Sequence, residues 1–363
     1  GGPTMSVSEL CQQLQHAGCT VSVFTTTANG SSELRVQPGV TVLTDNVPVT
    51  YFKRYTGDHS HFSPALLRRL WLDAKAFDII HIHAWWNLVS ILACAVAHLR
   101  KVPVVISPRG TLSNYSFQHK NSFIKKAFHN LAGRRLLNKS YIHVTSAHEK
   151  ILIDDMLQPL SIFNIPNFVH FPENVIRPAR TDDTMLRILF LSRIDAKKGI
   201  DILLNALPLV NIKYHLTIAG TGNADYLAYL KSITVQNGAA PNISWVGFRE
   251  RDKFELLADN DLLVLPSHDE NFGNVVIESL SMGTAVLISN KVGLHHYVSQ
   301  NNFGWVCHAE VNALGEAISA IGGQAARLAD IAKAAPNQVW RDFDQAILVK
   351  QYLNMYRKIA DPK

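Results

Sequence analysis

Two glutamates eight residues apart, Glu270 and Glu278, flank a Phe-Gly step in HDENFGNVVIES, between the apolar runs DLLVLPS and TAVLIS. The pattern reads as a strand, a short loop and a helix from about Asn274 to a stop at Gly283. The first amides of such a helix, around Phe272, Gly273, Asn274 and Val275, have no partner inside it and attract an anion. Gly273 lets a ligand come close to the backbone. Glu270, just upstream, can accept hydrogen bonds from sugar hydroxyls. Glu278, about a turn inside, can reach ribose hydroxyls beyond a phosphate. The spacing alone also fits an acid placed to favour the helix dipole and a solvated glutamate. The surrounding order of strand, Pro-Ser, Glu, Phe-Gly, Glu and Gly favours the ligand.

A second cluster is LSRIDAKKGID. A strand ends at Ser192, and Arg193 and Lys198 follow five residues apart before Gly199. A departing pyrophosphate needs such cations, at about 1.5–3 kcal/mol for each charge-assisted bond. Taken alone, a basic loop is also ordinary solvated surface. In FDIIHIHAWW, His81 and His83 alternate along a strand. Two histidines one apart can share an ion, but no further ligand set accompanies them, so no metal is expected. One histidine is expected inside the fold and one at the mouth of a crevice. Trp85 and Trp86 at the strand end suit either packing on a sugar or lipid acceptor or packing on the core. The Asp-x-Asp pairs at 259–261 and 342–344 precede a strand and lie in a helical segment, and neither is taken as a metal site.

These residues need a frame. TMSVSELCQQLQHAG puts Val7, Leu10, Cys11 and Leu14 on one helical face and stops at Ala-Gly. Strand signals in TVSVFTTT, FDIIHIHAWW, VPVVISPRG and YIHVTS alternate with helix signals in NLVSILACAVAHLRK, NSFIKKAFHNLAGRRLL and AHEKILIDDML. From 159 to 187 four prolines and no long helical period mark a boundary. The alternation resumes with RILFLSRI and runs to TAVLIS, and the chain closes on the helical segment WRDFDQAILVKQYLNMYRKI. Apolar strands alternating with helices predict parallel sheets covered on both faces. The expectation is an α/β protein with one doubly wound domain over 1–170 and a second over 171–339, and a C-terminal helix over 340–360 packing back on the first. A helix opening at Gly1-Gly2-Pro3 should follow a strand in this architecture, so a strand upstream of the numbered chain is expected.

The chain has 363 residues, 47 % of them apolar and 18 % charged, which suits a globular protein with two cores. Cys11, Cys19, Cys94 and Cys307 show no CxxC spacing, which argues against a zinc site or disulfide framework and for a reducing cytoplasm. No apolar run reaches the roughly 18–20 residues of a membrane span. The net charge of +6 is unevenly spread, because no Asp or Glu lies between Asp78 and Glu149, where nine Lys or Arg do. Around 121–139, Phe123, Ile124, Phe128 and Leu131 oppose Lys125, Lys126, Arg134 and Arg135. That helix either covers its sheet or meets an anionic membrane, at about 1 kcal/mol per basic residue. No nucleic-acid-binding motif accompanies the charge, and no nucleic-acid partner is expected.

The segment from 188 to 307 resembles the second domain of glycosyltransferase family 4, retaining enzymes of the GT-B fold. The matching pieces are SRIDAKKGID, LTIAGTGN, VGFRERDK and PSHDENFGNVVIESLSMGTAVLIS. In the first half, GGP is similar to the family's glycine-rich loop, IIHIHAWWN to its strand ending in histidine and aromatics, and IPNF to its inter-domain segment. The resemblance implies two Rossmann-like domains facing a central crevice. It implies that Arg193 and Lys198 bind the diphosphate, that Glu270 and Glu278 contact the donor sugar and ribose, and that Gly1 and Gly2 lie against the phosphates. It places Phe248 and Arg249 near the base. Many members carry histidine where this chain has Arg109 in SPRG, at a position facing the donor sugar. A guanidinium grips a carboxylate with two parallel bonds, which imidazole cannot. Arg109 is expected to pair with a protein carboxylate or a phosphate, or else with a uronate. PNF in place of Pro-Asn-Gly and VGLHHYV in place of Gly-Gly-x-x-Glu are further departures.

The expected function is retaining transfer of a sugar from a nucleotide-diphosphate sugar to a glycan or lipid-linked acceptor in the synthesis of an exported polysaccharide. The donor expected is UDP-glucose or UDP-glucuronate, with no cofactor and no metal, in the cytoplasm or at the inner face of its membrane. Arg193, Lys198 and Glu270 are the expected catalytic groups, with His83, Trp85, Trp86 and Arg109 on the sugar or acceptor side. A GT-B epimerase and a non-catalytic GT-B scaffold are the alternatives. The first would exchange epimers without an acceptor, and the intact charged set argues against the second.

Overall fold

The computed structural model describes residues 2–30, 32–58, 60–113, 115, 132–172, 177–178 and 185–361. The chain divides into two compact units, Gly1–Phe168 with Gln345–Lys363, and Val169–Asp344.

In the first unit, α1 spans Gly2–His16 and β1 Val23–Thr26. A small ladder joins β2 (Ala28–Asn29) to β3 (Ser32–Glu33), and β4 (Thr41–Thr44) pairs antiparallel with β5 (Val47–Phe52). β1 lies parallel to β5, which gives a three-stranded sheet β1-β5-β4. Then come α2 (Pro64–Asp73), β6 (Ile80–His83), α3 (Leu88–Leu99), β7 (Val104–Ser107), α4 (Arg134–Asn138), β8 (Tyr141–Val144), α5 (Ala147–Met156) and β9 (Ser161–Asn164). These four strands form a parallel sheet in the order β6-β7-β8-β9. Ser63, Asn87 and Ser146 start α2, α3 and α5 by accepting the amides of Leu66, Ser90 and Glu149, as short polar caps do. Side chains alternate across the sheet. Val104 and Ile106 of β7 join Ala93, Cys94 and Ala97 of α3, while Val105 joins Leu10 and Leu14 of α1 in a separate core.

The second unit alternates strictly. Its strands are β10 (Leu186–Leu191), β11 (Tyr214–Ala219), β12 (Ile243–Gly247), β13 (Leu262–Leu265), β14 (Ala285–Ser289) and β15 (Gly304–Cys307), all parallel, in the order β12-β11-β10-β13-β14-β15. The helices are α6 (Ile200–Ala206), α7 (Ala224–Gln236), α8 (Lys253–Ala258), α9 (Asn274–Ser281), α10 (His295–Gln300), α11 (Val311–Gly322) and α12 (Ala325–Asp342), and α13 (Gln345–Ala360) follows. β13 and β14 are buried along their whole length, which is why they read as unbroken apolar runs.

The expected single helix over 340–360 is two helices. Phe343 leaves the helical conformation at φ −113° and packs its ring against Phe272 and Tyr297, with centroids 6.1 and 5.3 Å away. Only after that anchor does α13 begin, and Leu348, Tyr352, Met355 and Ile359 enter the first unit's core beside Leu10 and Leu14. Of the basic helix read over 121–139, Phe123, Ile124, Lys125, Lys126, Phe128 and Leu131 lie outside the described residues. Among the described residues no helix is long and apolar enough to cross a membrane.

Candidate active site

The strands of the second unit, counted along the chain, lie in the order 3-2-1-4-5-6, so the winding reverses between β10 and β13. Doubly wound sheets bind ligands beyond the carboxyl ends of their strands at such a reversal. Both charged clusters leave from these two strands. Arg193 follows β10 exposed, and no hydrogen bond or ion pair engages its side chain among the described residues. Lys198 ends a short 3-10 turn, Ala196–Lys198, which Asp195 caps by accepting the Lys197 amide at 3.0 Å. The Lys198 ammonium pairs with the Glu270 carboxylate. Beside it Lys197 pairs with Asp269 at 2.7 Å, and the His268 amide donates to the Lys197 carbonyl at 2.9 Å. The loops come this close because Gly199 has no side chain. Its φ is +67°, and a Cβ there would stand 2.1 Å from the Pro266 carbonyl oxygen.

α9 starts at Asn274 from a left-handed Gly273, φ +90°. The Phe272 ring is 2 % exposed and belongs to the core, so only its backbone is left for a ligand. Asn274 and Val275 are half-buried in the first turn. The loop after β14 holds Glu270 by its backbone. The Glu270 amide donates to Lys291 at 3.1 Å, and the Gly293 amide donates to the Glu270 carbonyl at 2.8 Å. Glu278, the fifth residue of α9, is paired at 2.9 Å with Lys253, the first residue of α8. The Lys253 ammonium also stands 4.6 Å from the centre of the Phe254 ring, within cation–π range. Phe248 is 67 % exposed after β12, and Arg249 donates from Nε to Asp252 at 2.9 Å. Both lie two strands away from β10.

The first unit gathers a different set at the ends of β6, β7 and β8. Tyr356 of α13 lies 2.7 Å from His81 Nδ1, His81 Nε2 lies 2.7 Å from Ser107 Oγ, and Ser107 Oγ lies 2.6 Å from His143 Nδ1. His143 Nε2 lies 2.9 Å from the Ile165 carbonyl, which can only accept. With both imidazoles of the row in their neutral form, that end fixes the direction of every bond. His143 donates to Ile165, Ser107 donates to His143, His81 donates to Ser107, and Tyr356 donates to His81. Burial and the positive charge of Arg109 push the pKa values of His81, His83 and His143 down, that of His143 to about 3.

Arg109 itself follows β7 in the left-handed region, φ +51°, between Pro108 and a left-handed Gly110. Its Nε donates to His83 Nδ1 at 3.1 Å and its Nη1 to Asn167 Oδ1 at 3.0 Å. Glu149 braces the turn, with its two carboxylate oxygens accepting the Gly110 and Thr145 amides, each at 2.9 Å. His83 stacks on His81 with ring centres 4.3 Å apart. Trp85 corrects the sequence reading. It is 0 % exposed in the core of the sheet and cannot stack on a ligand, because Ala84 adopts φ +65° and turns the chain so that Trp85 points inward. Trp86 is half-buried against the same core. Gly2 is the first residue of α1, and Gly1 lies outside the described residues.

Lys253, Asn167, His143, Tyr356 and Glu149 are site neighbours that the sequence reading did not single out. Their partners lie between 4 and 275 residues away in the chain, and no spacing rule reaches most of them. Among the described residues no three His, Cys, Asp or Glu side chains are grouped to hold a metal ion. Asp261 of the first Asp-x-Asp pair is buried and paired with Arg187 at 3.1 Å.

Two doubly wound units in tandem, with charged groups at the reversal of the second, define a protein of the GT-B fold. Residues 173–338 match the family model described as glycosyl transferases group 1, and residues 1–156 match the glycosyl transferase 4-like domain. The chain therefore joins a glycosyltransferase 4-like domain to a group 1 glycosyltransferase domain. A glycosyltransferase of Methanocaldococcus jannaschii is 23 % identical over 310 residues, which cover 79 % of this chain and 76 % of that one. The sucrose-phosphate synthase of Thermosynechococcus elongatus superposes with a TM-score of 0.75 at 19 % identity, over 99 % of this chain and 93 % of that one. Anabaena HepE, solved with UDP and glucose, gives 0.74 at 18 % identity, over 99 % and 96 %.

Proposed function

We propose that the protein is a retaining glycosyltransferase that moves a hexosyl group from a UDP-sugar to a glycan or lipid-linked acceptor in polysaccharide synthesis, without a metal ion. The observation that carries this is that Lys198 pairs with Glu270 shortly before the amino end of α9, while Arg193 leaves the neighbouring strand β10, at the reversal of one parallel sheet. As the bond from the anomeric carbon to the diphosphate breaks, negative charge grows on the phosphate oxygens. Arg193, Lys198 and the amides near Gly273 stabilise it. The acceptor hydroxyl attacks from the face the diphosphate leaves, and its proton passes to that diphosphate, so no side chain serves as nucleophile. Glu270 holds the sugar and Glu278 the ribose, while Phe248 and Arg249 lie toward the base. UDP is the favoured nucleotide because HepE, of the same fold, was solved with it.

A thermal-shift panel of UDP-, GDP- and ADP-sugars tests the donor, with release of nucleotide in the presence of acceptor glycans as the activity. The largest stabilisation is expected from a UDP-sugar. A larger one from GDP- or ADP-sugars overturns the UDP assignment, and epimer exchange without an acceptor overturns the transferase. The reaction is placed on the cytoplasmic side of a membrane that bears the acceptor. Arg134, Arg135 and Lys139 are exposed on and beside α4. Binding to anionic vesicles should weaken steeply with salt. Equal sedimentation with neutral and anionic vesicles would remove the membrane from the proposal.

A further inference from the structure

The loop from Ser192 to Gly199, which carries Arg193 and Lys198, is held on both of its sides. Toward β11 the hold is backbone against backbone. The Ser192 amide donates to the Ala219 carbonyl at 3.2 Å, and the Ile194 amide to the Thr221 carbonyl at 2.9 Å. A Cβ at Gly220 would stand 1.9 Å from the Ser192 oxygen, and one at Gly222 would stand 2.0 Å from the Ile194 oxygen. Toward β13, charge is added to a backbone contact. Two consecutive lysines face two consecutive acids, Lys197 with Asp269 and Lys198 with Glu270. The His268 amide, donating to the Lys197 carbonyl, sets that register. The Asp269 side chain is 13 % exposed and that of Lys197 32 %, so this pair is less screened than an ordinary surface pair.

The two pairs have different fates when an anion arrives. A diphosphate that takes the Lys198 ammonium draws it from Glu270, and that link between the loops is given up. The Lys197–Asp269 pair is not. We propose that Lys197 and Asp269 are positioning residues, which keep the turn bearing Lys198 against the loop that leads to α9 while the diphosphate is bound. This rests on the reading of Lys198 as a diphosphate-binding group. Asp269 also occupies Lys197, which would otherwise compete with Lys198 for Glu270. The sign of one substitution separates positioning from plain electrostatics. D269N removes a negative charge beside an anion site, so by charge alone it strengthens diphosphate binding. If Asp269 acts through the placement of Lys198, D269N weakens it.

Calorimetric titration of the full chain with UDP, GDP and ADP, and with uridine, guanosine and adenosine, gives the factor by which the diphosphate tightens the binding of each nucleoside. K198A should cut that factor by about 10- to 100-fold, as loss of a charged bond does. D269N should cut it by about 3- to 10-fold and leave nucleoside affinity unchanged. D269E, which keeps the charge, should retain most of it. K197Q breaks the same pair from the other side and should repeat the loss seen with D269N. In the K198A background neither D269N nor K197Q should cut the factor further, because no ammonium remains to be placed. Tighter diphosphate binding in D269N overturns the inference. So does a loss that D269N or K197Q adds in full to that of K198A, which marks a general loosening of the fold. An unchanged factor in K198A, or a factor of one in the wild-type protein, overturns the reading of Lys198 itself, and the positioning role falls with it.

Discussion

At the scale of single residues, Lys198 has the sharpest expected effect. Its ammonium is already positioned by Glu270, so it needs no rearrangement to meet a departing diphosphate. Lys198→Ala should lower turnover by about 10²–10³, as loss of one oxyanion donor does, with an unchanged circular dichroism spectrum. Wild-type turnover in that variant would remove Lys198 from the reaction. Glu278→Gln should chiefly raise the Kd for the nucleotide, and Lys253→Ala should raise it less, because Lys253 acts only through Glu278. Equal losses of turnover and affinity in both variants would contradict that order. The Glu270–Glu278 pattern was legible in the sequence because a strand, a glycine and a helix start are all local signals. Trp85 was misread because a left-handed Ala84 upsets the alternation of the strand. The contact of Arg109 with Asn167 spans 58 residues, and nothing local announces it.

At the scale of elements, the hydrogen-bonded row across β6, β7 and β8 makes the first unit sensitive to acid. The folded-state pKa values of His81, His83 and His143 are lowered from about 6.5. Between 6.5 and the lowered values the unfolded chain binds more protons, so stability is complete above about pH 6.5 and falls as pH drops. Each histidine contributes a slope of about 1.4 kcal/mol per pH unit in that window. Urea unfolding at pH 7 and pH 5 should show this loss, and identical midpoints would refute it. In the second unit the close approach of two loops depends on Gly199. Gly199→Ala adds a Cβ where the Pro266 carbonyl stands and places alanine at a positive φ. A cost of about 1–3 kcal/mol from the backbone alone is expected, visible as a lower Tm and, because Lys198 is next to it, as weaker donor binding. The parallel strands β1, β6 to β8 and β10 to β14 were legible from their apolar runs. The strands β2 to β5, β9 and β15 were not assigned; the exposed β4 lacks a buried face to impose a pattern.

At the scale of the whole molecule, the first unit is completed by the last residues of the chain. Leu348, Tyr352, Met355 and Ile359 of α13 are buried among residues of α1, β7 and the segment after β9. At about 1.5–3 kcal/mol for each buried side chain, removing them costs about 6–12 kcal/mol. That is comparable to the total stability of a domain. Deleting 345–363 should therefore abolish the calorimetric transition of the first unit while that of the second persists. Two preserved transitions would show that α13 is dispensable. The same connectivity has a consequence in time. The helix that closes the first unit emerges from the ribosome only after all of Val169–Asp344 has been made. At 5–20 residues per second that is a delay of about 9–35 s. Throughout it Leu10, Leu14, Val105 and Phe168 have no α13 to cover them. The nascent first unit is thus a natural client for a holdase chaperone, and the second unit, whose elements are contiguous in the chain, finishes folding before it.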